Sequence, residues 1–291
     1  MATQNGRTGF GATFQNRDGS VGPRAMSRNN FRYCKDFFLG AETQAFGGGA
    51  ASGTAGDKNV LRTGNPWAAE HEYGIIGTQT IVSPVTTLTP TGYGGLDVTL
   101  DETLADGVEI AFGSSLGAIA RGKLAFKIGT DRPFFARLRV YLADVSGGIV
   151  YFGFRKVEAF QATSLVTYTD YATLGLNADL GDIVSATQVN TGGQVTTDTT
   201  LNWVDATSRD LKVLVGGGPG VASGVVQYFI DGDRQLAPPT FTFDAGDVVI
   251  PFFRHQHTTD VDNDVILVGS ISDNYCFEGG YQKQFGSFDG V

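Results

Sequence analysis

Two histidines, His255 and His257, followed by Asp260, Asp262 and Asp264, form the one group of metal-ligand residue types in this chain. On a strand, residues i and i+2 point to the same side, so both imidazoles can face one ion, with Asp260 as the third ligand of a Zn or Ca site. A tight site needs that third ligand fixed, and the Asp-rich run reads as a hairpin loop. The spacing therefore favours a solvated turn, with the metal as the alternative. An EF-hand does not fit, because the D-x-D-x-D run lacks the following Gly and the distant Glu. Retaining glycoside hydrolysis needs two carboxyl groups about 5–5.5 Å apart, which acids at alternate strand positions supply. The pattern E-x-D-x-E is absent. Glu70-His71-Glu72 alternates correctly, but at the entry to the first strand, and Asp231-Gly232-Asp233 is a turn. Gly113-Ser114-Ser115-Leu116-Gly117 matches G-x-S-x-G, yet a nucleophile elbow needs a strand–turn–helix inside an α/β fold, and the surroundings are β-patterned and glycine-rich. With no P-loop, dinucleotide fingerprint or Cys cluster either, no catalytic residue and no cofactor are expected.

The elements that would position any site are strands. Of 291 residues, 41 are Gly and 18% are charged, and no long Ala/Glu/Lys/Leu segment is present. Period-two alternation is clearest over Phe134–Val145, where Ala136, Leu138, Val140 and Leu142 face one way and Arg137, Arg139 and Tyr141 the other. Leu211, Val213 and Val215, and then Val226, Tyr228 and Ile230, repeat the pattern across a glycine-rich connection. The Asp231-Gly232 pair that follows turns the chain tightly, because Gly tolerates positive φ and Asp bonds its own backbone. Some fourteen such strands read between Gln79 and Ile271, with a short helix at Ser114–Ile119. They predict an all-β fold: a two-sheet antiparallel sandwich spanning residues 67–276. The 21 Phe and 10 Tyr could stack on sugars, but most fall in strand patterns and so in the core.

Residues 1–66 read as an extended, Gly-rich N-terminal arm and 277–291 as a short Gly/aromatic tail. The arm holds eight Lys/Arg against four Asp/Glu, +4 in a chain of −9, which leaves −13 on the rest. A basic arm on an acidic body suits docking on an acidic surface, including that of an identical subunit. Arg24, Arg28, Phe31, Arg32, Tyr33, Phe37 and Phe38 are its candidate contact residues. Direct nucleic-acid binding is not expected, since the arm has no Lys/Arg cluster. No apolar run approaches 18 residues, so no membrane span is expected, and the polar Met1–Arg7 does not read as a secretory leader. Cys34 and Cys276 lie near opposite ends of the chain, and two thiols in a reducing cytosol more often stay unbridged.

The strand ending Tyr228-Phe229-Ile230-Asp231-Gly232 resembles the "YIDG" strand of concanavalin-like and laminin-G-like sandwiches. Lys35-Asp36-Phe37-Phe38-Leu39-Gly40, then Glu70-His71-Glu72-Tyr73-Gly74-Ile75-Ile76, and Tyr151-Phe152-Gly153-Phe154 resemble an arrangement in tailed-phage virion proteins. The resemblance implies a structural virion protein with a jelly-roll or concanavalin-like sandwich, made in the host cytoplasm. A compact acidic sandwich with adhesive arms suits a head decoration or cement protein. Such a protein would bind the major capsid protein lattice and its own copies as a dimer or trimer. The alternative is a carbohydrate-binding, lectin-like module on a virion or tail, with a surface glycan held in loops such as Thr258–Asp264.

Overall fold

A computed structural model describes residues 107–112, 124–146, 148–159, 161, 164–177, 181–217, 221–256 and 276–282 in full. It gives the backbone pairing alone for 33–36, 42–45, 58–65, 68–78, 95–99, 257 and 264–268. Among these residues lie eighteen strands and one 3-10 turn, Leu165–Thr167. The fold is all-β, two antiparallel sheets packed face to face, as the alternation predicts.

One sheet has eight strands, built around β8 (Phe134–Leu142), β13 (Thr207–Val215) and β14 (Val226–Ile230). Its order runs β1 (Tyr33–Asp36), β18 (Phe277–Tyr281), β8, β13, β14, β15 (Asp233–Gln235), with β17 (Asp264–Val268) on β8 and β5 (Gly95–Thr99) on β17. The other sheet has ten strands. Its middle is β10 (Tyr171–Leu176), β9 (Gly148–Lys156), β16 (Val248–His257) and β6 (Gly107–Ala111). Beyond β10 come β11 (Asp182–Gln188) and the edge strand β12 (Val195–Asn202). Beyond β6 come β4 (Ala68–Thr78), β3 (Lys58–Asn65) and β2 (Glu42–Ala45), while the two-residue β7 (Phe126–Lys127) joins β16.

The core follows from strand periodicity. Ala136, Leu138, Val140 and Leu142 of β8 are fully buried, as are Leu211 and Val213 of β13. They meet Val150, Phe152 and Phe154 of β9 and Phe253 of β16 in one apolar cluster. Each large ring there removes some 150–250 Å² from water, which makes this layer the main source of stability. Phe112 stacks on Phe277 at 3.9 Å and Phe126 on Phe134 at 4.2 Å between ring centroids.

The glycine-rich connection works as expected: β13 and β14 pair antiparallel with Leu211 opposite Ile230 and Val215 opposite Val226. The next hairpin closes through Asp231 (φ 53°) and Gly232 (φ 94°), between Ile230 and its partner Asp233. Two positive φ values in a two-residue loop are the type I′ pattern, which matches strand twist.

The sheets also reach into segments read from the sequence as arm and tail. Residues 33–36, 42–45 and 58–65 pair as strands, with Tyr33 opposite Gly280 and Lys58 opposite Ile76. Residues 277–281 form β18, between β1 and β8, with Phe277 fully buried. Sequence periodicity misses such strands because main-chain bonds to a neighbour order them, whatever their side-chain pattern. The short helix expected at Ser114–Ile119 lies outside the described residues. Cys276 is buried, and the register sets Cys34 opposite Gly279 rather than opposite Cys276. Among the described residues no helix is long and apolar enough to cross a membrane.

Edge strand β12 carries a local strain. Thr200 has φ 67°, a region that costs a β-branched residue about 1–2 kcal/mol. The Asp198 side chain holds it there by accepting the Thr200 N–H at 2.7 Å. Thr200→Gly is expected to raise the unfolding free energy by about 0.5–1 kcal/mol, strain relief outweighing the glycine's added chain entropy. Urea unfolding of the variant checks this.

Candidate functional site

Each sheet has an outer face away from the shared core, and the two outer faces differ. Over the central strands of the ten-stranded sheet it is closed by the chain itself. Alternate residues Tyr151, Arg155, Tyr171, Phe252, Arg254 and Glu109 point outward, yet all are buried. The segment between β9 and β10 is tied down over this face. Arg155 donates from Nε and Nη2 to Glu109 Oε1 at 2.9 and 2.7 Å. Its Nη1 donates to the carbonyls of Lys156 and Glu158 at 3.0 and 3.3 Å. The Tyr168 hydroxyl donates to Glu109 Oε2 at 2.6 Å and accepts the Gln161 N–H at 3.2 Å. Arg254 donates to the Gln161 carbonyl at 2.7 Å, and the Gln188 amide to the carbonyls of Val166 and Tyr168.

The electrostatics agree with a structural clamp. Burial works against the Arg155 charge, but Glu109 and Tyr168 more than offset it, and the guanidinium's pKa is raised. Burial, reinforced by Glu109, pushes the Tyr168 hydroxyl up. The Arg155 guanidinium also lies 4.6 Å from the Tyr168 ring centroid. A carboxylate, a phenol and an arginine meet here, but both carboxylate oxygens are engaged and the side chains of Glu109 and Arg155 are 0% exposed.

The outer face of the eight-stranded sheet is only partly covered among the described residues. The register aligns one row across five strands: Glu278 opposite Arg137, Arg137 opposite Lys212, Lys212 opposite Phe229, and Phe229 opposite Arg234. Phe135 and Leu214 pair one step along, and Arg139 pairs with Asp210 on the other side. Arg137, Arg139, Tyr141, Lys212 and Phe229 are half-buried, and Arg234 is exposed.

Among the described side chains of this face the cations outnumber the acids. Arg137 Nε donates to both oxygens of Asp210, at 3.0 and 2.8 Å, and Nη2 adds a further bond to Oδ2. Glu278 lies 4.0 Å from Arg137 Nη1, and Asp231 pairs with Arg209 at 2.7 Å. Among the described side chains every acid of the face thus has a cation beside it. Lys212 instead sits between two rings, its ammonium 5.0 Å from the Phe135 centroid and 5.2 Å from that of Phe229. Burial first, and then the Arg137 charge, lower its pKa. Arg139 donates to Ser208 Oγ at 3.0 Å. Among the described residues no carboxylate lies within ion-pair distance of Lys212, Arg139 or Arg234.

A cleft of about 200 Å³ opens at one end of the sandwich, lined by Gly129, Asp131, Arg132, Pro133, Gly216 and Ser223 among others. Its carboxylate is engaged, since Asp131 accepts the Lys127 N–H at 2.6 Å and the Tyr281 hydroxyl at 2.8 Å. Nearby, Lys156 bridges Asp170 at 3.1 Å and Asp247 at 2.7 Å, and Asn190 Nδ2 donates to Asp244 at 2.6 Å. These bonds fasten turns together.

The residues singled out in the sequence are scattered. His255 is fully buried on β16, whose odd-numbered residues Val249 and Phe253 face the shared core. His257 ends that strand opposite Gly148, and Asp260 lies outside the described residues. No group of three His, Cys, Asp or Glu able to hold a metal occurs among the described residues. Of the arm contacts, Tyr33 is in β1, while Arg24, Arg28, Phe31, Arg32, Phe37 and Phe38 lie outside the described residues. The Glu70-His71-Glu72 stretch is in β4. Sequence reasoning set Arg137, Arg139 and Tyr141 on one outward face but missed the row they form with Lys212, Phe229 and Arg234.

No family model matches the chain. No curated protein matches it either. Solved structures that align with it include the carbohydrate recognition domain of Emp47p, at 10% identity and TM-score 0.45, covering 87% of this chain and 96% of that one. The potassium-bound carbohydrate recognition domain of Emp46p aligns at 7% identity and TM-score 0.43, over 66% and 84%. The carbohydrate-binding module CBM66 from Bacillus subtilis aligns at 10% identity and TM-score 0.37, over 61% and 86%. At these scores the alignments say nothing of what this chain binds.

Proposed function

We propose that the chain is a non-catalytic glycan-binding sandwich whose ligand lies across the outer face of the eight-stranded sheet. The observation that carries this reading is the set of aromatic rings on that face, Phe229 and Tyr141 half-buried and Phe135 buried, interleaved with long polar side chains. Rings stack on the C–H faces of sugars, and neighbouring polar groups bond hydroxyls. Phe135 and Tyr141 stand on one strand roughly 20 Å apart, so the platform suits an extended chain rather than a single compact molecule. The acid, phenol and arginine of the other face are spent on holding a loop. The double variant Tyr141→Ala/Phe229→Ala is expected to lose about tenfold or more in retention on a glycan-bearing gel, with an unchanged melting curve. Equal retention of the variant and the parent chain would contradict the assignment.

The rival reading, a decoration protein that binds the major capsid protein and its own copies, is favoured by one feature. Edge strand β12 is eight residues long, lacks an outer partner among the described residues, and presents Val195 at 52% exposure. Such an edge can add a strand from a neighbour. Co-sedimentation with undecorated capsid shells separates the two: pelleting lost when β12 is interrupted by Thr197→Pro, with glycan binding absent, would favour decoration.

A further inference from the structure

We infer that the glycan held on this face is an acidic one, with a carboxylate or sulfate group seated on the Lys212 ammonium between Phe135 and Phe229. The inference rests on the glycan-binding reading and names its ligand class. Its basis is the described side chains of the face: Asp210 and Glu278 share Arg137 and Asp231 has Arg209, while among the described residues Lys212, Arg139 and Arg234 have no carboxylate at ion-pair distance. A half-buried ammonium with an arginine directly across the strand pair is an unfavourable arrangement in the free protein. The two rings offset part of that cost. An anion from outside would complete the compensation, because ion pairing and charge-assisted hydrogen bonds are strongest where water is already reduced.

The spacing suits a repeating anion. Arg139 is one step diagonal from Lys212, at roughly 7–8 Å between Cα atoms, and Arg234 lies two strands over, at roughly 10 Å. Three cations without an ion-pair partner among the described residues match a polymer carrying an acid on successive sugars better than one isolated anion. They stand out on a chain of net charge −9, whose overall field opposes the approach of an acidic polymer.

The test is retention of the full chain on three immobilised probes: a neutral glucan, a polyuronate and a sulfated polysaccharide. The chain should be held by at least one acidic probe and not by the glucan, and released as salt rises to about 0.5 M. Lys212→Met keeps the stem between the rings and removes the charge, and should weaken retention about tenfold. Lys212→Arg should retain most of it. Which acidic probe is held distinguishes carboxylate from sulfate. Retention on the glucan equal to that on the acidic probes, with Lys212→Met unchanged, would overturn the acidic assignment and leave glycan binding standing. No retention on any probe would overturn both. Competition by single-stranded DNA as effective as by the polyuronate would show a general polyanion patch and overturn the glycan class.

Discussion

Glu109→Ala is expected to lower the unfolding free energy by about 3–5 kcal/mol, because it leaves the Arg155 guanidinium buried without its partner. The same substitution frees the Tyr168 hydroxyl, which donates to the other carboxylate oxygen, and so loosens the segment between β9 and β10 that Tyr168 anchors. Glycan binding at the opposite sheet should persist at temperatures where the variant remains folded, since the two outer faces share no side chain. Replacing both charges, Glu109→Leu with Arg155→Met, should recover part of the loss but not all of it. Arg155 also serves the carbonyls of Lys156 and Glu158, which the double variant leaves unbonded. Urea unfolding of the single and double variants provides the comparison. A loss below about 1 kcal/mol in the single variant would mean that water reaches the pair and that the face is open.

Gly175→Ala is expected to cost more than about 3 kcal/mol, beyond ordinary overpacking, because backbone rather than side chain stands in the way. A Cβ there would lie 1.7 Å from the Val150 carbonyl oxygen and 2.9 Å from the Tyr151 Cα. Gly153 on the adjoining strand repeats the problem, with its Cβ 2.2 Å from the Ala172 carbonyl oxygen. Neither neighbour can rotate aside, so β9 and β10 would have to separate or shift register. These two glycines let the strands approach closely beneath the clamped segment. Circular dichroism melting of Gly175→Ala and Gly153→Ala checks the prediction, and melting points within a degree or two of the parent would contradict it.

Much of the sandwich was legible in the sequence, for a reason specific to its central strands. Strands β8, β13 and β14 have one face in the core and one outside, so period two appears openly, and Asp231-Gly232 marks the turn that fixes their register. Strand β18 was hidden: its sequence FEGGY has two glycines and reads as tail. Its order comes from pairing with β1 and β8 and from burying Phe277. The site was hidden for a related reason. Alternation shows which way Arg137 and Lys212 point, but not that their strands are neighbours, and the row with Phe229 and Arg234 exists only once the sheet is assembled. Likewise Glu109 lies 46 residues from Arg155 and 59 from Tyr168, and nothing local marks them as partners. The His255 pattern is ambiguous for a different reason. Its i, i+2 spacing with His257 is real, but His255 sits on a strand buried on both faces, where such spacing places a side chain in the core.

The central claim is that the outer face of the eight-stranded sheet is a ligand platform. The most direct test is a heteronuclear NMR titration of the isotope-labelled full chain with an oligouronate. The account predicts shift changes clustered on Phe135, Arg137, Arg139, Lys212, Phe229 and Arg234, with the amides of β9, β10 and β16 unmoved. Changes confined to the end cleft around Gly129, Gly216 and Ser223, or to the Thr258–Asp264 loop, would place the ligand elsewhere and contradict it.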